Sequence, residues 1–171
     1  MVLKWLMFAP ISLLFNLFVM LTSPIWALWA AVGKMKTLPW IFSWVHTHDD
    51  WIYGFGAEKP DVPEKFSDRF KIAVWWLCRN PGYTFDAKVL GFEDEGVTFE
   101  KTEKKGEFDT GESAKRYDLM KTKDGKKYFS YRRDFKLGGG RFIKLWAGWQ
   151  YKNQAGYHML KVDINPFKKK K

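Results

Sequence analysis

The chain has 171 residues, which is enough for one ordinary domain with an attached segment and too short for two sizeable cores. Its 29 lysines and arginines exceed its 19 aspartates and glutamates. Most of the excess follows Gly56, so we expect the C-terminal part to attract phosphates, acidic lipid headgroups or an acidic protein surface. The single cysteine, Cys78, excludes an internal disulfide, and its apolar surroundings favour a buried free thiol over a nucleophile.

The first element is the apolar stretch between Lys4 and Lys34, which contains no charged residue. A helix of about 20 residues, from Pro10 to Trp29, is roughly 30 Å long and matches the thickness of a hydrocarbon core. We therefore predict a membrane anchor over residues 1–36. The alternatives are a cleaved signal peptide, which the sequence disfavours because small residues are missing at the cleavage positions, and a re-entrant hairpin that breaks at Ser23–Pro24.

Residues 37–65 follow as an aromatic segment and a linker. Rings with an apolar body and a polar edge collect at the headgroup level of a bilayer, so we predict membrane-interface roles for Trp40, Trp44, Trp51 and Tyr53. The alternative is that these rings belong to a soluble core. Two prolines and alternating charges in residues 57–66 indicate the linker.

Residues 66–167 carry a helix and then period-two patterns. Ser67 and Asp68 favour a helix start, and Asn80–Pro81–Gly82 favours its end. From residue 83 onward we predict a hairpin of residues 89–92 and 97–100 and then a mobile loop at 103–114. Strands at 117–121 and 127–135 should flank the turn Lys123–Asp124–Gly125. A Gly138–Gly140 turn should precede strands at 141–151, with Ile143, Leu145 and Ala147 on one face, and at 157–164.

The predicted fold class is therefore α+β. It consists of an N-terminal transmembrane or membrane-inserted helix, followed by a small, mainly antiparallel β domain with one packed helix. A polylysine tail at 168–171 closes the chain.

The sequence contains only weak indications of a catalytic or metal-binding site. His46, His48, Asp49 and Asp50 are metal-ligand types, but no second cluster with Cys or His accompanies them, and a polar loop is the favoured interpretation. Gly138–Gly140 lacks the helix, lysine and hydroxyl of a phosphate-binding P-loop. We predict a protein that is not an enzyme and that holds no cofactor or metal.

Basic residues are the remaining signal. We predict that an anionic partner binds a set of lysines and arginines in the central hairpin and the tail: Lys126, Lys127, Arg132, Arg133, Lys168, Lys169, Lys170 and Lys171. Near an anionic leaflet each of them can contribute about 1 kcal/mol. Interleaved aromatic residues also suit stacking on nucleic acid, although no known nucleic-acid-binding signature is present.

Several stretches resemble an uncharacterised family of small membrane proteins encoded by tailed bacteriophages. The most specific is the motif formed by Arg79, Asn80, Pro81, Tyr83 and Phe85. It is accompanied by Leu38–Pro39 with Trp44, Thr47 and Asp49, by Gly148–Trp149, and by Pro166–Phe167 with its lysines. Trp51 and Phe55 depart from the polar, glycine-rich loop of that family. The resemblance implies a phage gene expressed in a bacterial host and supplies no catalytic residue.

These observations favour a phage accessory protein held in the host inner membrane, with a cytoplasmic soluble domain. It would bind membrane lipid or a host membrane protein, and would modify the envelope or exclude other phages. Ala27 and Ala31 form a small-xxx-small pair that favours a homo-oligomer. The alternatives are a membrane-tethered binder of nucleic acid or nucleotides, acting in genome entry or against host defence, and a virion component.

Overall fold

A continuous helix, α1 (Val2–Val32), forms the N-terminal part of the computed structural model, which describes residues 1–47, 51–54, 62–150 and 156–169. Pro24 lies inside α1 and cannot donate a hydrogen bond to the carbonyl of Met20. The hydroxyl of Ser23 donates to that carbonyl instead, over 2.9 Å. The helix therefore continues past Ser23–Pro24, and the re-entrant alternative is wrong.

The chain divides into two compact units. The helical unit comprises Ile11–Leu90, and the β unit comprises Met1–Pro10 and Gly91–Lys171. The predicted division into anchor, aromatic segment, basic domain and tail describes roles, and it stays a prediction.

The helical unit contains most of α1, a 3₁₀ helix at Trp40–Val45, α2 (Phe66–Arg79) and α3 (Tyr83–Lys88). The predicted helix after the linker is confirmed as α2, which ends at Arg79 before Asn80, Pro81 and the left-handed Gly82. A core of alanine and branched side chains together with one tyrosine joins these elements: Val19, Ala27, Ala30, Leu38, Val45, Ile52, Tyr53, Ala73 and Leu77.

The β unit contains seven strands: β1 (Phe92–Glu93), β2 (Thr98–Lys105), β3 (Ala114–Lys121), β4 (Lys127–Gly138), β5 (Arg141–Trp149), β6 (Tyr157–His158) and β7 (Leu160–Lys169). One antiparallel sheet has the order β2-β3-β4-β5-β7, and β1 pairs with β6. The predicted α+β class is confirmed, as are the turns at Lys123–Asp124–Gly125 and Gly138–Gly140.

Three local predictions between residues 83 and 114 are wrong. Residues 83–88 form α3 because Phe85 stacks on Phe15, with ring centroids 4.1 Å apart, and Thr84 bonds to the carbonyl of His46. The 89–100 hairpin does not form, since β1 pairs with β6 and Phe92 stacks on Tyr128 at 3.9 Å. The predicted loop at 103–114 is shorter, because β2 extends to Lys105 and pairs with β3.

Candidate membrane-binding and anion-binding surfaces

Helix α1 exposes an apolar stripe to its surroundings. With 31 residues it is about 46 Å long, and it is long and apolar enough to cross a membrane. Exposed positions recur at intervals of three and four along one side: Leu14, Leu17, Leu21, Ile25, Leu28 and Val32. Leu21 is 73% exposed and Val32 is 68% exposed, although both side chains are fully apolar. A contiguous apolar surface of this length indicates contact with lipid or with another protein.

The opposite side of α1 is covered by its own unit. Buried positions on this side are Ser12, Val19, Ser23, Ala27 and Ala30. Ala31 is also fully buried, so the predicted small-residue pair of Ala27 and Ala31 packs inside this chain and is not available to a second copy.

Polar contacts fix this covered side. The Asn16 amide donates to the carboxylate of Asp86 over 3.1 Å, and the Tyr53 hydroxyl donates to the carbonyl of Ala30 over 2.8 Å. The Arg69 guanidinium, which is buried, donates to the carbonyl of Ala31 over 2.8 Å. Ser23 lies 3.2 Å from the free thiol of Cys78. These groups would be costly to surround with hydrocarbon.

The first turns of α1 pack within the β unit. The Lys4 ammonium donates to the hydroxyl of Tyr128 over 2.9 Å and lies 4.5 Å from the centroid of that ring. The Trp5 indole donates to the carbonyl of Lys161 over 3.1 Å and meets Phe129 edge-on, with centroids 6.1 Å apart. The N-terminal end of α1 therefore lies on the same side of any membrane as the sheet.

The four predicted interface aromatics occupy different environments. Trp40 is 87% exposed and Trp44 is 39% exposed, as an interfacial role requires. Trp51 is half-buried, with the Lys36 ammonium 3.8 Å above its ring. Tyr53 is buried in the helical core, and burial raises the pKa of its hydroxyl, so the core alternative applies to this residue.

The family-like motif, residues 79–85, joins α2 to α3 in the helical unit. Gly82 has φ +58°, and a Cβ there would lie 2.2 Å from the Asn16 side chain and 2.8 Å from the Phe15 ring. Arg79 stacks over Trp75, with its guanidinium carbon 5.0 Å from the ring centroid. This motif therefore packs against α1, which gives its residue types a structural reason.

The predicted anion-binding residues separate into two groups. Lys126 and Lys127 are ion-paired with Asp124 and Glu100, at 2.7 and 2.8 Å, and the bond from Lys126 lowers the pKa of Asp124 to about 2. Arg132 is buried and already paired with Asp109 and Asp134, which disfavours its predicted role in binding an external anion.

The remaining predicted cations lie on strands or outside the described residues. Arg133 is exposed on β4, next to the ring of Phe135. Lys168 and Lys169 belong to β7 and pair with Phe142 and Arg141. Lys170 and Lys171 lie outside the described residues.

A row of three cations crosses the sheet. Lys105 of β2 is directly opposite Lys115 of β3, which is directly opposite Arg133 of β4. All three side chains are exposed, and they line a cavity of about 340 Å³ together with Ser113, Ala114 and Asp134. Sequence reasoning missed Lys105 because it placed residues 103–114 in a loop. The position of Lys105 beside Lys115 follows only from the register in which β2 pairs with β3.

Metal ligation finds no support in the described part of the chain, where no group of three or more His, Cys, Asp or Glu side chains comes together. Both His46 nitrogens contact backbone groups, namely the amide of Leu38 and the carbonyl of Thr47. The other residues of the metal alternative, His48, Asp49 and Asp50, lie outside the described residues.

A model for a family of unknown function matches residues 1–171, the whole chain. No curated protein and no solved structure matches it.

Proposed function

The chain belongs to that family, DUF7338, whose function is unknown, and we propose that it is a non-enzymatic membrane protein whose helix α1 inserts lengthwise into one leaflet. The observation that carries this proposal is the exposed apolar stripe of α1 opposite a side that its own unit covers. An exposed apolar stripe of this length would make a soluble monomer prone to aggregation.

Lengthwise insertion fits the covered side better than a crossing does. Helix α2 packs in the same core as α1 and exposes Asp68, Lys71 and Arg79. With 14 residues it is about 21 Å long, too short and too charged to cross a bilayer beside α1. A helix that lies in the interface plane buries only one side, to a depth of about 5–10 Å.

Groups at both ends of α1 support the same placement. Lys4 and Trp5 hold the first turns within the β unit, whose sheet cannot enter hydrocarbon. After the other end come Lys34 and Lys36 and the exposed rings of Trp40 and Trp44, which suit a headgroup layer. Both ends then lie at one membrane surface.

The biological setting rests on the sequence. The resemblance to phage membrane proteins supports a host inner membrane, and the basic composition with a free Cys78 supports a cytoplasmic β unit. In this setting the protein would bind anionic lipid or a host membrane protein and modify the envelope or exclude other phages.

Flotation with vesicles is the first test. The full chain should float with liposomes and should remain bound after a high-salt or carbonate wash, because α1 buries apolar surface. Recovery of the intact chain as a soluble monomer without detergent would contradict the proposal. N-terminal sequencing of the membrane-bound chain tests the signal-peptide alternative, since cleavage would remove α1.

Single-cysteine labelling distinguishes insertion from crossing. In a Cys78→Ser background, cysteines at Val2, Leu21 and Thr37 report the N-terminal end of α1, its middle, and the exposed segment just after its C-terminal end. Lengthwise insertion predicts that an impermeant maleimide labels Val2→Cys and Thr37→Cys from the same side, in inverted vesicles but not in spheroplasts, and labels Leu21→Cys from neither side. Labelling of the two ends from opposite sides would establish a crossing helix instead.

A further inference from the structure

The cation row formed by Lys105, Lys115 and Arg133 is unusual for its electrostatics. Like charges directly opposite each other on neighbouring strands destabilise a sheet, and neighbouring strands are only about 4.8 Å apart. Three such cations in a row repel one another across both gaps. An anion bound between them would remove this repulsion.

Several other cations of this sheet have carboxylate partners. Ion pairs join Lys101 to Glu103, Arg116 to Asp118, Arg132 to Asp109 and Asp134, and Lys144 to Asp163. Among the described residues, no ion pair of this kind involves Lys105, Lys115 or Arg133. The carboxylate of Glu103, which is paired with Lys101, also feels the charge of Lys115, but a single shared carboxylate leaves the three cations of the row with an excess of positive charge.

The surroundings of the row suit a phosphate group. Ser113 accepts a hydrogen bond from the backbone amide of Lys136 over 3.3 Å, and its own O–H remains a donor at the edge of the cavity. Asp134, which also lines the cavity, has its charge compensated by Arg132. Ammonium, guanidinium and hydroxyl donors around a cavity match the three acceptor oxygens and double charge of a phosphate monoester.

The positions that continue this row on the next two strands, β5 and β7, are apolar. Arg133 is directly opposite Leu145 of β5, which is directly opposite Ile164 of β7. Ile164 is 70% exposed, and Val162 and Ala147 lie one pair further along the same face, both partly exposed. A charged half followed by an apolar half is complementary to a lipid with an acidic headgroup.

We propose that the row of Lys105, Lys115 and Arg133 is a binding site for the phosphate monoester headgroup of an acidic phospholipid such as phosphatidic acid. The proposal rests on membrane association through α1, and it adds headgroup selectivity to that association. The row holds the phosphate, and the Leu145–Ile164 half contacts the glycerol backbone and the first methylenes.

The test uses the full chain in nanodiscs of phosphatidylcholine that contain increasing fractions of phosphatidic acid. Native mass spectrometry then counts the phosphatidic acid molecules retained by the released protein. The site variant is the triple Lys105→Gln, Lys115→Gln, Arg133→Gln. The control triple is Lys121→Gln, Lys126→Gln, Lys127→Gln, which removes the same number of charges from cations that have carboxylate partners.

We expect the apparent affinity for phosphatidic acid to fall roughly 100-fold in the site variant and less than about 3-fold in the control. An equal loss in both variants would mean a diffuse charge effect, and no loss in either would mean that the row is not a site; each result overturns the proposal. Equal competition by inorganic phosphate or glycerol phosphate would overturn the assignment to lipid. Both variants should still float with neutral vesicles, so loss of headgroup selectivity and failure of α1 insertion are separate results.

Discussion

Helix α1 and the five-stranded sheet bury side chains of different size and polarity. Along α1 the leucines and isoleucine of one side are exposed, whereas small and hydroxyl residues are buried. The sheet buries large apolar side chains such as Phe142 and Trp149 together with the charged Asp118, Asp134 and Arg132. The exposed leucines of α1 reverse the distribution expected of a helix in water, whereas the sheet has an apolar core of the usual kind with charged residues inside it. The difference is compatible with the proposed contact of α1 with hydrocarbon, and ion pairs accompany the buried charges of the sheet.

The buried charges of the sheet are matched closely. The Arg116 guanidinium lies 2.7 Å from the carboxylate of Asp118, which also accepts a hydrogen bond from Thr102 over 2.9 Å. Arg132 lies between the rings of Phe108 and Trp146, at 4.2 and 5.3 Å. Because each of these buried charges has a partner, the face of the sheet that carries Asp118, Arg132 and Asp134 can exclude water without leaving an isolated ion.

The largest expected effect concerns the exposed stripe of α1. The double variant Leu17→Glu, Leu21→Glu should lower vesicle binding by at least about 1,000-fold, because it removes two leucines, each worth roughly 2 kcal/mol of burial, and adds two charges. Flotation measures the binding, and circular dichroism should show an unchanged helix content.

Val19→Glu provides the matched control, since Val19 lies on the covered side of the same helix and is fully buried. This variant should unfold the helical unit. Equal unfolding by both variants would mean that the stripe is part of a core and not a lipid-facing surface.

The apolar composition of α1 is local information, so the sequence predicts a long apolar helix at this place, although the predicted span of Pro10–Trp29 is shorter than the observed Val2–Val32. It does not predict which side is covered, because the partners of that side, such as Tyr53 and Arg69, come from distant residues. The turn at Lys123–Asp124–Gly125 is likewise a local signal. By contrast, β2 is almost entirely polar, and only its pairing with β3 makes it a strand and brings Lys105 beside Lys115.

Removing one buried cation from the sheet should have the next largest effect. Arg132→Leu leaves Asp134 buried with no cation, so we expect a loss of about 3–5 kcal/mol in the free energy of unfolding. Lys136→Gln on the same strand breaks an exposed pair with Glu112 and should cost less than about 1 kcal/mol. Denaturant titrations in detergent measure both. Similar values for the two variants would show that burial does not matter to the Arg132 pairs.

The close approach of α1 and the family-like motif can be tested at Gly82. Gly82→Ala should cost about 3 kcal/mol, because the left-handed backbone disfavours a side chain and the new methyl group would overlap Asn16 and Phe15. Gly125→Ala, also left-handed at φ +80° but with nothing within 4 Å, should cost only about 1 kcal/mol. Equal costs in thermal unfolding would mean that the covered side of α1 is loosely packed.

The smallest expected effect concerns the buried hydroxyl of Tyr53. Tyr53→Phe removes the hydrogen bond to Ala30 and should cost about 1 kcal/mol at neutral pH. Burial raises the pKa of Tyr53 in the folded protein, so its hydroxyl contributes fully below the unfolded pKa of about 10 and loses that contribution as the pH rises through the folded value. The stability difference between wild type and variant should therefore shrink in denaturant titrations as the pH rises above about 10. Tyr157, whose pKa is also raised, is present in both proteins and cancels in the difference. A difference that stays constant over this range would place the hydroxyl in contact with water and contradict the packing of Tyr53 against the covered side of α1.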